Sequence, residues 1–178
     1  MKIPIERLPA GNQGGKSMLY EFRDNLCFKR LPSKRRYLSY YLAGFVDREG
    51  FFSVSIKKLS TAKFGWVVDP CFRVYQHKKN LHILELFKKF FKAGYIKPKS
   101  SSSNTYVFTI SDRKSLEEKI VPFFKKHKLL TSKWEDFCKF AEIIERMKNK
   151  EHLRLEGIKR IIKIACSMNE LGKQRKYT

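Results

Sequence analysis

Residues 38–57 read LSYYLAGFVDREGFFSVSIK, and within this stretch the spacing of apolar residues changes from helical to extended. Before the change, large apolar residues recur at intervals of three and four: Leu38, Tyr41, Leu42 and Phe45. This spacing predicts a helix that begins at Ser33, a residue type that caps helices, and ends near Glu49. After residue 50 apolar and polar residues alternate, which predicts a strand with one covered face.

The same two spacings predict the other elements in the order strand, helix, strand, strand and three more helices. The predicted strands cover residues 66–76, 94–97 and 105–110, and the predicted helices cover 80–91, 115–127, 133–148 and 155–171. Pro70 is expected to kink its strand, and Pro122 to interrupt its helix. Ser132 and Glu135 predict a capping box, and Gly172 is expected to close the last helix.

This order predicts an α+β fold, with an antiparallel four-stranded sheet that carries helices on one face. We expect one domain over residues 33–172, preceded by an arm (1–32) and followed by a basic tail (173–178). The other face of the sheet is left open. Residues assigned to it are mostly cationic or hydrogen-bonding: Ser53, Ser55, Lys57, Asp69, Arg73, Tyr95, Lys97, Lys99, Thr105 and Thr109. Such a face could read base edges and hold phosphates, although a merely solvated face would also be polar.

The charge of the chain indicates a polyanionic partner. Its 178 residues include 39 Lys and Arg against 17 Asp and Glu, a formal net charge of +22. Nucleic acid is the leading candidate, because the basic residues are dispersed and not gathered in one membrane-binding helix or polybasic run. Charge alone does not separate DNA from RNA. The sequence shows no membrane span, secretory signal or zinc-site spacing, so we expect a location inside a cell or organelle.

The end of the first predicted helix combines a small face with an unfavourably placed acid. Four residues share this face by the i, i+3, i+4, i+7 rule: Tyr40, Ala43, Gly44 and Asp47. Glycine inside a helix costs about 1 kcal/mol relative to alanine, so a close contact with another helix is expected in compensation. Glu49 lies at the C-terminus, where the helix dipole disfavours an anion and a cation would reverse the penalty. Taken alone, this stretch also fits a chance glycine and a solvated acid.

Pairing the small faces of two copies would bring two Glu49 carboxylates side by side. Like charges this close favour a divalent cation, and Mg²⁺ suits carboxylate, phosphate and water oxygens. The chain holds one such segment, so the expected assembly is a homodimer.

Residues 42–50 resemble the LAGLIDADG signature of homing endonucleases. The identical residues are Leu42, Ala43, Gly44, Asp47 and Gly50, and the conservative variants are Phe45, Val46 and Glu49. Arg48 departs from the pattern, since a small residue is usual there. The resemblance covers roughly positions 38–171. Within it, residues 57–77 (KKLSTAKFGWVVDPCFRVYQH) look like single-motif members encoded in introns of organellar large-subunit ribosomal RNA genes.

The resemblance implies roles for individual residues. Glu49 matches the metal-binding acid, assisted by the main-chain carbonyl of Arg48. Gln76 matches a polar residue that orders water at the scissile phosphate, with an ordinary surface glutamine as the alternative. Lys133 is the best match to the basic residue that completes the active site, and Lys128 is the second.

The resemblance therefore implies a homodimeric, Mg²⁺-dependent endonuclease that cuts both strands of a long pseudo-palindromic DNA site, leaving short 3′ overhangs. An intron insertion site in a ribosomal RNA gene is the expected target. Mn²⁺ is expected to substitute for Mg²⁺ and Ca²⁺ to be non-productive, and no membrane or small-molecule substrate is expected. The compartment would be a chloroplast, a mitochondrion or a bacterial cytoplasm. Two alternatives stay open: an RNA-binding intron maturase on the same scaffold, and a basic structural or ribosomal nucleic-acid-binding protein.

Overall fold

The structure is a computed structural model, and it describes residues 34–168. Its elements are α1 (Lys34–Glu49), β1 (Gly50–Lys58), β2 (Trp66–His77), α2 (Leu81–Phe91), β3 (Tyr95–Pro98), β4 (Thr105–Ile110), α3 (Arg113–Ser115), α4 (Val121–Lys126), α5 (Lys133–Lys148) and α6 (Leu155–Cys166). Two 3-10 turns cover Lys78–Asn80 and Glu151–Leu153, and a π-helical turn covers Leu116–Ile120. The predicted arm, the Ser33 cap, Gly172 and the basic tail lie outside the described residues, and the domain bounds 33–172 stay a prediction.

The predicted junction of helix and strand is present, since α1 ends at Glu49 and β1 begins at Gly50. Leu42 and Val46 are completely buried and hold α1 in the core. The chain turns so tightly here that a Cβ on residue 50 would lie 2.8 Å from the Val46 carbonyl oxygen. Glycine at position 50 therefore allows the first strand to start directly after Glu49.

The four strands form one antiparallel sheet in the order β1-β2-β4-β3, as the predicted α+β fold requires. β2 runs unbroken through Pro70, where the sequence predicted a kink. Proline is tolerated there because β2 pairs at that point with β1 alone, and its pairing with β4 begins at Phe72.

Aromatic side chains form much of the core between the sheet and the helices. The Phe52 ring lies 5.3 to 5.4 Å, centroid to centroid, from the rings of Phe72, Phe124, Phe137 and Phe140. Burying one such side chain contributes roughly 1.5–3 kcal/mol. The cluster therefore fixes α4 and α5 against β1. No helix in residues 34–168 is long and apolar enough to cross a membrane.

Two helix boundaries differ from the prediction. The helix predicted over 115–127 runs from Arg113 to Lys126, and its backbone stays helical through Ile120 and Val121, so Pro122 does not interrupt it as predicted. The proline lies in the first turn of α4, directly after the π-helical turn, where a missing N–H is tolerated. α6 ends at Cys166 and not at residue 171. The Ser167 hydroxyl bonds the Ile164 carbonyl at 2.9 Å, which gives one of the last carbonyls of the helix a local partner.

The predicted capping box at the start of α5 is wrong. Ser132 has helical backbone angles and makes no capping bond. The Thr131 hydroxyl takes this role, since it accepts the Lys133 N–H at 3.3 Å. The side chain that caps the start of α5 is therefore that of Thr131, one residue earlier than the sequence indicated.

Candidate functional site

The sheet face opposite the helices carries the side chains that the sequence assigned to nucleic acid. Strand pairing arranges part of it in transverse rows, one with Phe51, Arg73, Thr109 and Tyr95 and the next with Tyr75, Val107 and Lys97. The remaining assigned residues are Ser53, Ser55 and Lys57 on β1, Asp69 on β2, and Lys99 and Thr105 at the far end. All ten predicted residues except Thr109 are at least partly exposed.

Thr109 does not fit its predicted role as a direct contact. Its side chain is 2% exposed, because it lies on the inner strand β4 between Arg73 and Tyr95. Within residues 34–168 its hydroxyl has no hydrogen-bond partner. Thr109 therefore supports the two larger side chains beside it and does not itself reach a ligand on this face.

Neighbouring side chains restrain the lysines of this face. Lys57 pairs with Asp69 on the adjacent strand, and both side chains stay partly exposed. The Lys97 ammonium lies 5.6 Å from the Tyr95 ring centroid, and the Lys99 ammonium a similar distance from the ring of Tyr75. The positive charges are therefore ordered but remain accessible to phosphates.

The prediction missed two aromatic residues of the same face, Phe51 and Tyr75. Phe51 is 37% exposed and lies opposite Arg73. The signal was present in the sequence, because strict alternation turns Phe51 outward once Phe52 is assigned to the core. A phenylalanine here offers an apolar surface of the kind that contacts a thymine methyl group.

The second part of the site is the C-terminal end of α1, where Lys133 reaches back from the start of α5. Its Nζ donates hydrogen bonds to the carbonyl oxygens of Val46 at 2.9 Å and Arg48 at 3.2 Å. Burial lowers the pKa of Lys133, and the nearby carboxylates, first among them Asp47, act against that shift. The ammonium thus occupies the negative end of the helix dipole, close to the acid that the sequence singled out.

The other two candidates lie apart from this arrangement. The Lys128 ammonium is 5.5 Å from the Trp134 ring centroid, so it faces an aromatic surface. The Gln76 side-chain oxygen accepts the His77 N–H at 2.7 Å at the end of β2. Among the described residues no hydrogen bond joins Gln76 to Glu49 or Lys133, so its water-ordering role stays a prediction.

Asp47 binds a loop of its own chain. Its Oδ2 accepts the Leu130 N–H at 2.8 Å, and its Oδ1 accepts both the N–H and the hydroxyl of Thr131, at 3.3 and 2.6 Å. Burial raises the pKa of Asp47, but the hydrogen bonds from Thr131 and Leu130, together with the charge of Lys133, outweigh it and lower the pKa. The sequence had assigned Asp47 to an interface between copies, and the structure gives its carboxylate partners within one chain.

The oxygen donors at the end of α1 suit a hard divalent cation that is only partly enclosed by protein. The Glu49 side chain is 42% exposed and has Arg48 Nε 3.7 Å away. In the described residues no three His, Cys, Asp or Glu side chains come together to hold a metal. One chain offers the Glu49 carboxylate and the Arg48 carbonyl, and that carbonyl already accepts from Lys133. Such a donor set fits Mg²⁺, which keeps several waters and takes oxygens from substrate phosphates.

The outer face of α1 is aromatic and open. Tyr40 is 55% exposed and Tyr41 47% exposed, and a Cβ added to Gly44 would meet no atom within 4 Å. Ala43, which the sequence placed on the same face, is 6% exposed and belongs to the core. The side of α1 that packs into the core therefore includes both Leu42 and Ala43. The open face is therefore formed by Tyr40, Tyr41 and Gly44.

With this fold and site, the chain belongs to the LAGLIDADG endonuclease family, whose model matches residues 42–144, more than half of the sequence. It is similar to DNA endonuclease I-CeuI of Chlamydomonas moewusii, with 39% identity over 138 residues. That match covers 76% of this chain and 62% of the relative, so the chain spans less than two thirds of the relative's length.

Two solved structures show the same fold. The archaeal intron-encoded homing endonuclease I-Vdi141I, complexed with DNA, is 33% identical with a TM-score of 0.74, over 82% of this chain and 91% of that chain. The LAGLIDADG homing endonuclease I-LtrWI, bound to target DNA, is 38% identical with a TM-score of 0.73. That match covers 76% of this chain but 46% of the other, so one copy of this chain corresponds to about half of I-LtrWI.

Proposed function

We propose that this chain is one subunit of a homodimeric, divalent-metal-dependent endonuclease that cuts both strands of a long, pseudo-palindromic DNA site. The observation that carries the proposal is the meeting of Glu49, the Arg48 carbonyl and Lys133 at the end of the family's signature helix. The DNA complexes of I-Vdi141I and I-LtrWI support DNA as the ligand. By analogy with intron-encoded relatives, we propose an intron insertion site in a ribosomal RNA gene as the target, and an organelle or a bacterial cytoplasm as the location.

Binding is assigned to the open sheet face. Arg73 lies in the row with Phe51 and Tyr95, where a guanidinium can bond a guanine edge and the aromatic rings can contact neighbouring bases. Lys97 and Lys99 carry charge at the far strands and suit phosphate oxygens. Each sheet would follow the major groove of one half-site.

Cleavage is assigned to the end of α1. When bound, Mg²⁺ supplies an activated water and neutralises the charge that develops on the leaving 3′-oxygen. Glu49, with the Arg48 carbonyl, would hold the ion. Lys133, fixed by two carbonyls of α1, places a positive charge where the phosphodiester becomes more negative. Gln76 would order water from the end of β2.

The dimer is assigned to the open face of α1. Tyr40 and Tyr41 expose large aromatic surfaces, and the space over Gly44 lets another backbone approach. Two copies of this chain together have about the size of I-LtrWI, whose single chain this one matches over 46%. A two-fold contact through Gly44 would bring the two Glu49 carboxylates together beneath one stretch of DNA.

A plasmid digestion tests this proposal. A plasmid with an intronless copy of the host gene should be linearised at one position in Mg²⁺ or Mn²⁺, and it should stay circular in Ca²⁺ or chelator. The same plasmid with the intron inserted is the control, since the insertion splits the site. Absence of cutting in every divalent ion, together with stimulation of intron splicing, would favour the maturase alternative. The relatives compared above are named endonucleases, which favours DNA cleavage.

A further inference from the structure

The loop between α4 and α5 leads directly into Lys133, the lysine of the proposed active site and the first residue of α5, and the main polar anchor of this loop is Asp47. Leu129 is buried in the core, but the next side chain, Leu130, is 94% exposed and contributes no packing. The backbone N–H groups of Leu130 and Thr131 instead both point at the Asp47 carboxylate. The position of the loop after Leu129 is therefore set by an acid on α1.

The anchor continues to Lys133 through one side chain. The Thr131 hydroxyl donates to Asp47 Oδ1 at 2.6 Å and accepts the backbone N–H of Lys133 at 3.3 Å. At the other end of the side chain, Lys133 Nζ is held by the carbonyls of Val46 and Arg48, the two residues that flank Asp47. Lys133 is thus fixed to one turn of α1 at both its backbone and its ammonium group.

We propose that Asp47 is a positioning residue: through Thr131 it holds the loop against α1 and keeps the Lys133 ammonium at the cleavage site. This inference rests on the proposed function, in which Lys133 acts on the scissile phosphate. It gives Asp47 a role within one subunit, in place of a contact between copies or a ligand to metal. A hydrogen bond to a charged acceptor is about twice as strong as one between neutral groups. The Asp47 carboxylate can therefore hold this loop in place although the loop is partly exposed to solvent.

The variants come in matched pairs. Asp47→Asn keeps the shape but weakens an acceptor of three hydrogen bonds, and Thr131→Val removes the hydroxyl while keeping the volume. Thr131→Ser restores the hydroxyl. Leu130→Ala changes the exposed side chain of the same loop and leaves its N–H in place. If Asp47→Asn fails to fold, the two Thr131 variants carry the test.

Cleavage under single turnover, with DNA affinity measured separately in Ca²⁺, gives the first result. We expect Asp47→Asn and Thr131→Val to cut about 10- to 100-fold more slowly, because small misplacements of a catalytic group have large effects. Their DNA affinity should stay near that of the wild type, and Thr131→Ser and Leu130→Ala should cut at nearly the wild-type rate. In a Lys133→Met background, adding Asp47→Asn should cause no further loss, since Asp47 acts through Lys133. A further loss there, or an unchanged rate in the single variants, would overturn the inference.

Chemical labelling gives a second result that does not depend on cleavage. An amine-acylating reagent should modify Lys133 more slowly than Lys128 in the wild type, because two carbonyls hold the Lys133 ammonium. Asp47→Asn and Thr131→Val should raise the labelling of Lys133 several-fold and leave Lys128 unchanged. If labelling rises as expected but the wild type cuts no DNA, the proposed function fails and the positioning holds. If labelling does not change, the positioning itself is refuted.

Discussion

Replacing Gly44 with leucine should break the proposed dimer and leave each subunit folded. Within one subunit, residue 44 is exposed, and a Cβ placed there meets no atom within 4 Å. Leucine also favours a helix by close to 1 kcal/mol relative to glycine. The change should therefore stabilise an isolated subunit slightly.

At the proposed interface the same substitution should be destabilising. A side chain forced into a packed contact costs about 1–3 kcal/mol, and two-fold symmetry inserts two of them. The total of about 2 kcal/mol or more corresponds to a dimer dissociation constant raised roughly 30-fold or more. In the proposed dimer both subunits are needed to cut DNA, so cleavage should fall in parallel at a fixed protein concentration.

Sedimentation velocity over a concentration series measures the dissociation constant, and circular dichroism checks that the separated subunits stay helical. Glu85→Leu is the control, because it adds the same side chain at an exposed position of α2. If Gly44→Leu dimerises as tightly as the wild type, or if the wild type cuts DNA as a monomer, the assignment of α1 to the interface is refuted.

Three further predictions concern recognition, pH and packing. Arg73→Ala should weaken binding to the cognate site by about 1–3 kcal/mol and relax the preference at one base pair of each half-site. Binding to DNA targets with single base-pair substitutions measures both effects. An equal loss of affinity on all sequences would show that Arg73 does not read a base. Burial lowers the pKa of His127 and of His152 below the ordinary value of 6.5, and the charges of Lys126 and Arg113, respectively, add to the shift. Just below pH 6.5 the unfolded chain therefore binds more protons than the folded chain. The free energy of unfolding, measured with urea, should therefore fall as the pH drops through this window. A variant with both histidines changed to glutamine should lose most of this pH dependence. An unchanged pH dependence would show that the two histidines do not cause it. Gly157→Ala would place its Cβ 2.1 Å from the Glu151 carbonyl oxygen, so the free energy of unfolding should fall by about 1–3 kcal/mol or more, and an unshifted urea midpoint would contradict the clash.

The sequence predicted the fold well because its strongest signals are local. The change of period after Glu49 located α1 and β1, and alternation separated the covered and open faces of the sheet. Phe51 was not assigned to the open face, although the alternation that places Phe52 in the core turns Phe51 outward. Thr109 does not reach a ligand on the open face, because it lies on an inner strand and the larger side chains of Arg73 and Tyr95 cover it.

The site was predicted less completely because its key contacts join distant parts of the chain. Resemblance selected Lys133, and the structure shows why this lysine and not Lys128 reaches α1. The bonds from Leu130 and Thr131 to Asp47 cross 83 and 84 residues of sequence, and no spacing rule connects them. The capping box failed for a related reason, since Thr131 is fixed by Asp47 and so replaces Ser132 as the cap.

Glu49, at the end of α1, is proposed to hold the ion that cuts DNA. The most direct measurement compares the wild type with Glu49→Gln, with cleavage of the target plasmid followed in Mg²⁺ and binding of the same DNA followed in Ca²⁺. Glu49→Gln should bind the site with nearly unchanged affinity and leave both strands intact. Cleavage by Glu49→Gln at the wild-type rate would show that the Glu49 carboxylate does not hold the ion.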